Sequence, residues 1–416
     1  MEYITHSDSI SIVKQCCIVG GGPAGMMLGL LLARAGVDVA VLEKHADFLR
    51  DFRGDTVHPS TLELMYELGL MDEFLLLPHR KLECLSVEIG SKHIRIIDLR
   101  HLPTHCKYIA LMPQWDFLNF LARQGSRYGT FDLHMQTEAT DFIEEEGRIV
   151  GVRARSRQGE LNVRAGLVVG CDGRHSTLRA RAGLRSDESG APMDVLWFRV
   201  TRRQNDPGET FGHIGAGRML VMLDRGEHWQ CAYVIPKGGF DRVKNEGIEA
   251  FRGHVCALSP FLADRIAEVG SFDDVKLLTV MVDLLRRWWR PGLLLIGDAA
   301  HAMSPIGGVG INIAIQDAVA AANRLVVPLR AGRVTPADLQ AIQRRRVWPA
   351  RMTQRLQLVM QNRIIGPALQ SGRTPKPPFV FELLNAVPPL RRIPARLLGV
   401  GFRPEHVRTP DASAEE

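Results

Sequence analysis

The chain has 416 residues, 52 Lys and Arg against 46 Asp and Glu for a formal charge of +6, and is 45% hydrophobic and 24% charged. This is ordinary globular composition at a length that accommodates two or three domains, and it excludes disorder, collagen-like sequence and a coiled-coil rod. Seven scattered cysteines, odd in number and without a C-x-x-C pair, argue against a disulfide framework or zinc ribbon and for a reducing, cytoplasmic setting.

In chain order, the first fourteen residues carry no basic n-region, so no secretory signal is expected. From Cys16 to Ala33 no side chain is charged, the length of a membrane span. Gly20-Gly21-Gly22-Pro23 near its start would break a lipid-exposed helix, and a buried strand, tight turn and buried helix explain the run better. Residues 16–43 therefore read as one βαβ unit: a strand to Val19, a helix from Ala24 to Ala35 closed by Gly36, and a strand from Val37 to Leu42 ending at Glu43. Ser60-Thr61-Leu62-Glu63, after Pro59, has capping-box spacing and opens a helix to about Leu68. Trp115 to about Arg127 is a second amphipathic helix. Strands follow over Ile149–Arg155, Leu161–Arg164 and Leu167–Gly170.

From about 186 to 285 alternating runs, such as Val195–Val200, Met219–Leu223, Trp229–Ile235 and Lys276–Val282, predict a largely antiparallel sheet. Leu293–Ile296 is again a short, fully apolar strand, leading through a loop into a helix over Ile311–Leu325. Pro336 to about Arg363 is helical with a bend expected at Pro349, and beyond Pro375 the tail is rich in Pro and Arg.

Gly20-x-Gly22-x-x-Gly25 lies between a strand and a helix, with Glu43 closing the next strand. The first glycine permits the tight turn, the second lets a pyrophosphate approach the backbone, and the third lets the helix pack on the sheet. Pro23 and Ala24 complete the turn, and the helix's positive end faces the phosphates. Glu43, with Lys44 beside it, would accept hydrogen bonds from an adenosine ribose. The turn alone does not separate FAD from NAD.

Two further motifs follow apolar strands: Gly170-Cys171-Asp172-Gly173-Arg174-His175-Ser176-Thr177-Leu178-Arg179, and Gly297-Asp298-Ala299-Ala300-His301-Ala302-Met303-Ser304-Pro305-Ile306-Gly307-Gly308-Val309-Gly310-Ile311-Asn312. With the first turn they resemble the three fingerprints of class A flavoprotein monooxygenases, the para-hydroxybenzoate hydroxylase family, over roughly residues 14 to 330. Arg53-Gly54-Asp55-Thr56-Val57-His58-Pro59 also looks like that family's flavin-contacting segment.

The resemblance implies an α/β fold: a Rossmann-like FAD-binding domain, a mixed sheet with helices, interwoven with a smaller α+β substrate domain on a largely antiparallel sheet. The expected boundaries are 1–76, 102–185 and 286–345 for the FAD domain, 77–101 and 186–285 for the substrate domain, and 346–416 for a C-terminal helix and basic tail. By resemblance, Arg53 and Gln114 lie along the flavin and its ribityl-pyrophosphate chain, although many relatives carry Arg in place of Gln114. Asp172 touches FAD and helps a nicotinamide cofactor, Asp298 bonds the ribityl chain, and Pro305 packs near the reactive face of the ring. Physical reading agrees for the third motif. A loop through Gly308, Gly310, Ile311 and Asn312 into a helix presents N–H donors to a ring that is anionic when reduced.

The implied chemistry is reduction of FAD by NADH or NADPH, docked transiently, then reaction with O2 to a flavin C4a-hydroperoxide that hydroxylates an electron-rich aromatic, phenol-like or polycyclic. The cofactor carries that chemistry, so no Ser/His/Asp arrangement or metal cluster is needed, and no catalytic base is assigned. Arg199, His213, Met222 and Tyr233 on the middle sheet are candidates to face substrate, from location alone. His301 reads as a packing histidine rather than a catalyst. Arg174 and Arg179 read equally as phosphate or nicotinamide contacts and as solvated surface.

Competing classes are a halogenase, a C=C reductase of the geranylgeranyl-reductase type, a non-catalytic flavin-binding partner protein and a simple NAD dehydrogenase. The halogenase segment Trp-x-Trp-x-Ile-Pro is here Cys231-Ala232-Tyr233-Val234-Ile235-Pro236, and the second and third fingerprints disfavour the dehydrogenase. The reductase would turn over without O2.

Residues 331–416 hold 14 Lys and Arg and 6 acids, a local +8 within the total of +6 that leaves the rest at about −2. Leu390-Arg391-Arg392-Ile393-Pro394-Ala395-Arg396-Leu397-Leu398 is a candidate for weak contact with an anionic membrane surface, against the plainer reading of a tail packed on the body. No motif supports nucleic-acid binding. The expected state is a monomer or homodimer.

Overall fold

The computed structural model describes residues 10–49, 56–208, 212–371, 373 and 375–412. In chain order it runs β1 (Ile10–Val19), α1 (Pro23–Arg34), β2 (Val39–Glu43), β3 (Thr56–Val57), α2 (Pro59–Glu67), α3 (Met71–Leu75), β4 (Arg80–Leu82), β5 (Cys84–Ile89), β6 (Lys92–Asp98), β7 (Ile109–Leu111) and α4 (Gln114–Gly125). Then come β8 (Phe131–Met135), β9 (Glu138–Glu145), β10 (Arg148–Ser156), β11 (Gly159–Gly170), α5 (Thr177–Arg181), β12 (Ser186–Ser189), β13 (Met193–Thr201), β14 (Gly212–Gly215), β15 (Arg218–Asp224) and β16 (His228–Pro236). The last part holds α6 (Phe240–Glu246), α7 (Ile248–Leu258), β17 (Lys276–Leu278), β18 (Val282–Leu285), β19 (Trp289–Arg290), β20 (Leu293–Leu295), α8 (Gly310–Arg330), α9 (Pro336–Met360), α10 (Gly366–Gln370), α11 (Phe379–Ala386) and α12 (Arg392–Gly399).

The eight-stranded sheet has the order β19-β20-β11-β1-β2-β8, with β10 and β9 continuing from β11. Its central strands β20, β11, β1, β2 and β8 are parallel. The carboxyl halves of β1 and β11, with β20 and most of β2, read as short apolar runs because they are buried on both faces: Cys16, Cys17 and Ile18 are all fully buried, as are Met26, Met27 and Leu28 on α1. The charge-free run from Cys16 to Ala33 is thus a strand, a turn and a helix inside the core, and no helix among the described residues is long and apolar enough to cross a membrane. The runs expected at 161–164 and 167–170 are one continuous strand, β11.

A second, seven-stranded sheet has the order β17-β13-β16-β15-β14-β5-β6. Its pairs are antiparallel except β14 with β5. One face, carrying Leu196, Phe198, Leu220, Met222 and Tyr233, packs under α7 through Phe251 and Val255. The other face carries Met193, Met219 and Val234 and meets Ile306, Ile365 and Leu369. Both faces are apolar, and only the second touches the loop of the third motif.

The capping box expected at Ser60–Glu63 does not form. α2 begins one residue earlier with Pro59 at its first position and His58 before it, because proline's fixed φ already suits that position. Glu63 instead accepts from the His105 N–H at 3.0 Å and lies 2.8 Å from its Nδ1. α9 does carry a capping box, Thr335 with Asp338, and continues through Pro349.

The C-terminal segment wraps both sheets. Ala395 and Leu398 of α12 pack with Leu85, Ile97, Leu99 and Leu111. Beyond it, Arg34 Nη1 donates to the Thr409 carbonyl at 3.0 Å, and Glu67 accepts from the Val407 N–H at 2.8 Å.

Candidate active site

The three motif loops leave the carboxyl ends of three neighbouring parallel strands: β1, β11 and β20. With Glu43 at the end of β2 they form a row, Asp298, Asp172, the glycine turn, then Glu43. At roughly 4.8 Å per strand the row spans about 14 Å. Ligands of open α/β sheets bind at this edge.

Close packing forces the motifs together. Gly20 has φ +107°, and a Cβ there would lie 2.4 Å from the Cys171 carbonyl oxygen, so the first loop abuts the second. A Cβ on Gly25 would lie 2.0 Å from the Gly20 oxygen, which is the helix–strand contact the third glycine permits. A Cβ on Gly297 would approach those of Ala24 and Ala314 at 3.3 and 3.1 Å, so the third loop sits between α1 and α8. By contrast nothing lies within 4 Å of a Cβ on Gly22 or on Gly310. Both stand at helix starts without a side-chain cap, where open N–H groups favour anionic ligand atoms. A pyrophosphate at α1 and an electron-rich ring edge at α8 fit this cradle.

Glu43 is buried and braces the turn, accepting from the Gly21 N–H at 2.9 Å and the His45 N–H at 3.0 Å; Lys44 is exposed beside it. The Asp172 carboxylate accepts from the Ser176 hydroxyl at 2.6 Å and the Leu178 N–H at 3.1 Å, capping α5. Burial holds it above the usual carboxylate range despite those donors. Asp298 is about one-third exposed and lies 3.7 Å from Arg174 Nη2. Arg179 is tied down instead, pairing with Asp283 at 2.9 Å and donating to the Arg174 carbonyl at 2.6 Å. Gln114 opens α4 directly after β7, the strand that pairs with β3. Arg53 lies outside the described residues.

Pro305 starts the turn through Ile306, Gly307 and Gly308, where both glycines adopt positive φ. Asn312 is buried with all four hydrogen-bonding positions filled: it accepts from the His58 N–H at 2.9 Å and the Thr61 hydroxyl at 2.8 Å, and donates to the Thr56 and Gly308 carbonyls at 3.1 and 3.2 Å. Its side chain joins the 56–61 segment to the loop and has no capacity left for a ligand; a contact from this position would use the backbone. Ile311 is half-buried in the first turn of α8.

The structure places the four substrate candidates of the second sheet away from the Pro305 loop. Met222 and Tyr233 point into the layer under α7, where Ser259 lies 3.4 Å from the Met222 sulfur and Tyr233 meets Phe251 edge-on. His213 is in register with Leu220 of that same layer and pairs with Glu88 at 3.1 Å. Arg199 shares the parity of Val195 but is exposed six residues along β13 from Met193, roughly 20 Å away. The residues facing the loop are Met193, Met219 and Val234, on the opposite face from His213, Met222 and Tyr233.

Two sets of site residues escaped the sequence reading. Gln354, Gln357 and Gln361, all buried on one face of α9 and the turn after it, donate to the loop. Gln354 reaches the Ala302 carbonyl at 2.9 Å, Gln357 those of Ser304 and Ile306 at 2.9 Å, and Gln361 the Ser304 hydroxyl at 2.7 Å. Their spacing of three and four is the available signal. The second set is a buried ion network. Asp317 accepts from Arg346 Nε at 2.8 Å and the Gly297 N–H at 3.1 Å, and pairs with His301 Nε2 at 2.5 Å. Arg346 also reaches Glu405 of the tail at 3.3 Å. Burial opposes both charges, yet Asp317 holds His301 above its ordinary value, and His301 with Arg346 keeps Asp317 below its own. His301 is therefore an ion-paired strut, not a solvent-facing base.

A glycine turn at an uncapped helix, an acidic strand end and two aspartate loops on adjacent strands define a dinucleotide-binding flavoprotein. The FAD binding domain family matches residues 14–355, and the chain belongs to the FAD-dependent monooxygenases of class A. It is 33% identical to a 6-methylpretetramide 4-monooxygenase of Streptomyces rimosus over 92% of this chain and 91% of that protein. It is 29% identical to a rifampicin monooxygenase of Streptomyces venezuelae, over 72% of this chain but only 61% of that longer protein. The fold matches a probable FAD-dependent monooxygenase from Pseudomonas aeruginosa with a TM-score of 0.74 at 21% identity, covering 86% and 98% of the two chains.

Proposed function

We propose that the protein hydroxylates an electron-rich aromatic, phenol-like or polycyclic, using FAD, NADH or NADPH and O2. The observation that carries this is the row formed by the glycine turn, Glu43, Asp172 and Asp298, with the apolar wall Met193, Met219, Val234 and Ile306 beside the Pro305 loop. Bound FAD would supply electron transfer and oxygen activation. The chain's own residues do the rest. The open backbone at Gly22 receives the pyrophosphate, Asp298 holds the ribityl hydroxyls, and the N–H groups at the start of α8 favour negative charge on the ring. The apolar wall excludes water and accepts a flat, poorly solvated substrate. The names of the relatives support this substrate class.

The purified protein is expected to be yellow and to consume NAD(P)H faster when given phenols, quinone precursors or polyketide-like aromatics, with an oxygenated product. A colourless protein that FAD does not reconstitute would sink the proposal. Turnover that continues without O2 would transfer it to the C=C reductase class.

A further inference from the structure

The outward face of α11 is composed as though it met something other than water. Phe379, Val380, Leu383 and Ala386 lie within an arc of roughly 120° at 100° per residue, and Val387 continues the face. Phe379 is 78% exposed, Val380 49%, Leu383 38% and Val387 39%. The helix is firmly seated on its other side: Phe381 is buried with Val87, Ile89, Ile94 and Ile214. Lys92 pairs with Glu382 at 2.8 Å, and Asn385 accepts from the Arg95 N–H at 3.3 Å. Apolar exposure here is therefore a built surface, continued by Ile393 at the start of α12, itself 61% exposed.

Cations flank it in sequence. Residues 371–398 hold five Lys and Arg (Arg373, Lys376, Arg391, Arg392, Arg396) and a single acid, Glu382, which Lys92 already engages. Arg391 is spent internally, donating to the Leu384 and Asn385 carbonyls at 2.8 and 2.7 Å, which locks α12 to the end of α11. Arg373, Lys376, Arg392 and Arg396 are exposed and flank the apolar residues in sequence, Lys376 three positions before Phe379 and Arg392 and Arg396 on either side of Ile393. A two-fold contact with a second copy would set these cations against themselves. An aromatic and aliphatic helix face flanked by exposed Lys and Arg instead matches an anionic lipid surface.

We propose that α11 and the start of α12 dock the protein on an anionic membrane surface, the apolar face entering the headgroup region and the cations meeting lipid phosphates. The contact sits one helix earlier than the 390–398 segment implies, because Ala395 and Leu398 turn into the body.

The test is co-sedimentation of the FAD-loaded full chain with vesicles of phosphatidylcholine alone and of phosphatidylcholine with phosphatidylglycerol. Binding is expected only to the anionic vesicles and should fall with added salt. Arg392→Gln with Arg396→Gln should weaken it about thirtyfold, from roughly 1 kcal/mol per cation. Phe379→Ser with Leu383→Ser should abolish it while leaving the flavin spectrum and circular dichroism unchanged. Absence of binding, or equal binding to neutral vesicles, overturns the proposal. So does a concentration-dependent dimer in sedimentation velocity that Phe379→Ser dissolves, which would make the face an interface between copies.

Discussion

Asp317→Asn is the sharpest probe of how the third motif is held. The substitution keeps shape and removes one charge from a site where Asp317, Arg346 and His301 are all 0–1% exposed. Arg346 then remains in the core with one anion, Glu405, which also serves Arg345 at 2.6 Å, and His301 loses the carboxylate that holds it above its ordinary value. Removing one member of a buried ion pair typically costs about 3–5 kcal/mol; the Asn amide keeps one acceptor oxygen, which cannot serve both the Gly297 N–H and Arg346 as the two carboxylate oxygens do. Urea unfolding at pH 7, compared at equal FAD saturation, should show a midpoint shift of that size and faster loss of flavin on dialysis. Arg346→Met should also destabilise, but the double variant should cost less than the sum by about 1–3 kcal/mol, because each change removes the other's unpaired charge. The linkage has a defined sign. His301, raised on folding, stabilises fully below its unfolded value and loses that contribution as pH rises through its folded one. Asp317, lowered on folding, loses its contribution as pH falls through its folded value. A single variant within about 1 kcal/mol of the parent, or strict additivity in the double, would refute the network.

Gly22→Ala and Gly25→Ala separate cofactor binding from folding: the first meets no protein atom within 4 Å and should fold yet lose FAD affinity, whereas the second drives a Cβ to 2.0 Å from the Gly20 oxygen and should lower the melting temperature of the apoprotein itself. Equal melting temperatures in the two apoproteins would contradict this. His58, fully buried with its Nδ1 donating to the Leu398 carbonyl at 2.9 Å, is lowered by burial to about 4, so stability should fall as pH drops from 6.5 toward 4 by on the order of 3 kcal/mol. His58→Gln should flatten that slope, and parallel urea midpoints for parent and variant between pH 7 and 4.5 would count against it. Gln357→Leu strands two loop carbonyls and should weaken FAD retention, costing about 2 kcal/mol or more of stability; unchanged flavin occupancy after dialysis would show that the ladder does not hold the loop.

The cofactor motifs were legible because each is local: strand, turn and helix lie within a dozen residues, and glycine spacing reports the turn directly. Their alignment on β1, β11 and β20 depends on strand order, which no local window contains. Which face of the second sheet meets the Pro305 loop is not legible locally, for a definite reason. Leu196, Phe198 and Val200 alternate with Met193, Val195 and Trp197, and both sets are apolar because helix α7 covers one face and the loop at Ile306 meets the other. Alternation gives two faces but no phase when neither is solvated. At Pro59, two local rules competed, and the proline's conformational constraint set the helix start ahead of the Ser60 box.

The tail was legible only as charge. In space it is part of the cofactor loop's scaffold: Gln354, Gln357 and Gln361 bind residues 302–306, Glu405 closes the ion network through Arg346, and the Leu398 carbonyl receives His58. Three tail-side cations are consumed inside the molecule, Arg345 and Arg346 by Glu405 and Asp317 and Arg391 by helix carbonyls. The excess of +8 in the last 86 residues is thus divided. One part is structural and fixes the flavin loop, and the rest is on the surface, including Arg373, Lys376, Arg392 and Arg396, which flank the apolar face of α11 in sequence. Composition sums all of these; they differ in what they touch, and the cations tied to Glu405, Asp317 and helix carbonyls are the ones withdrawn from an anionic partner.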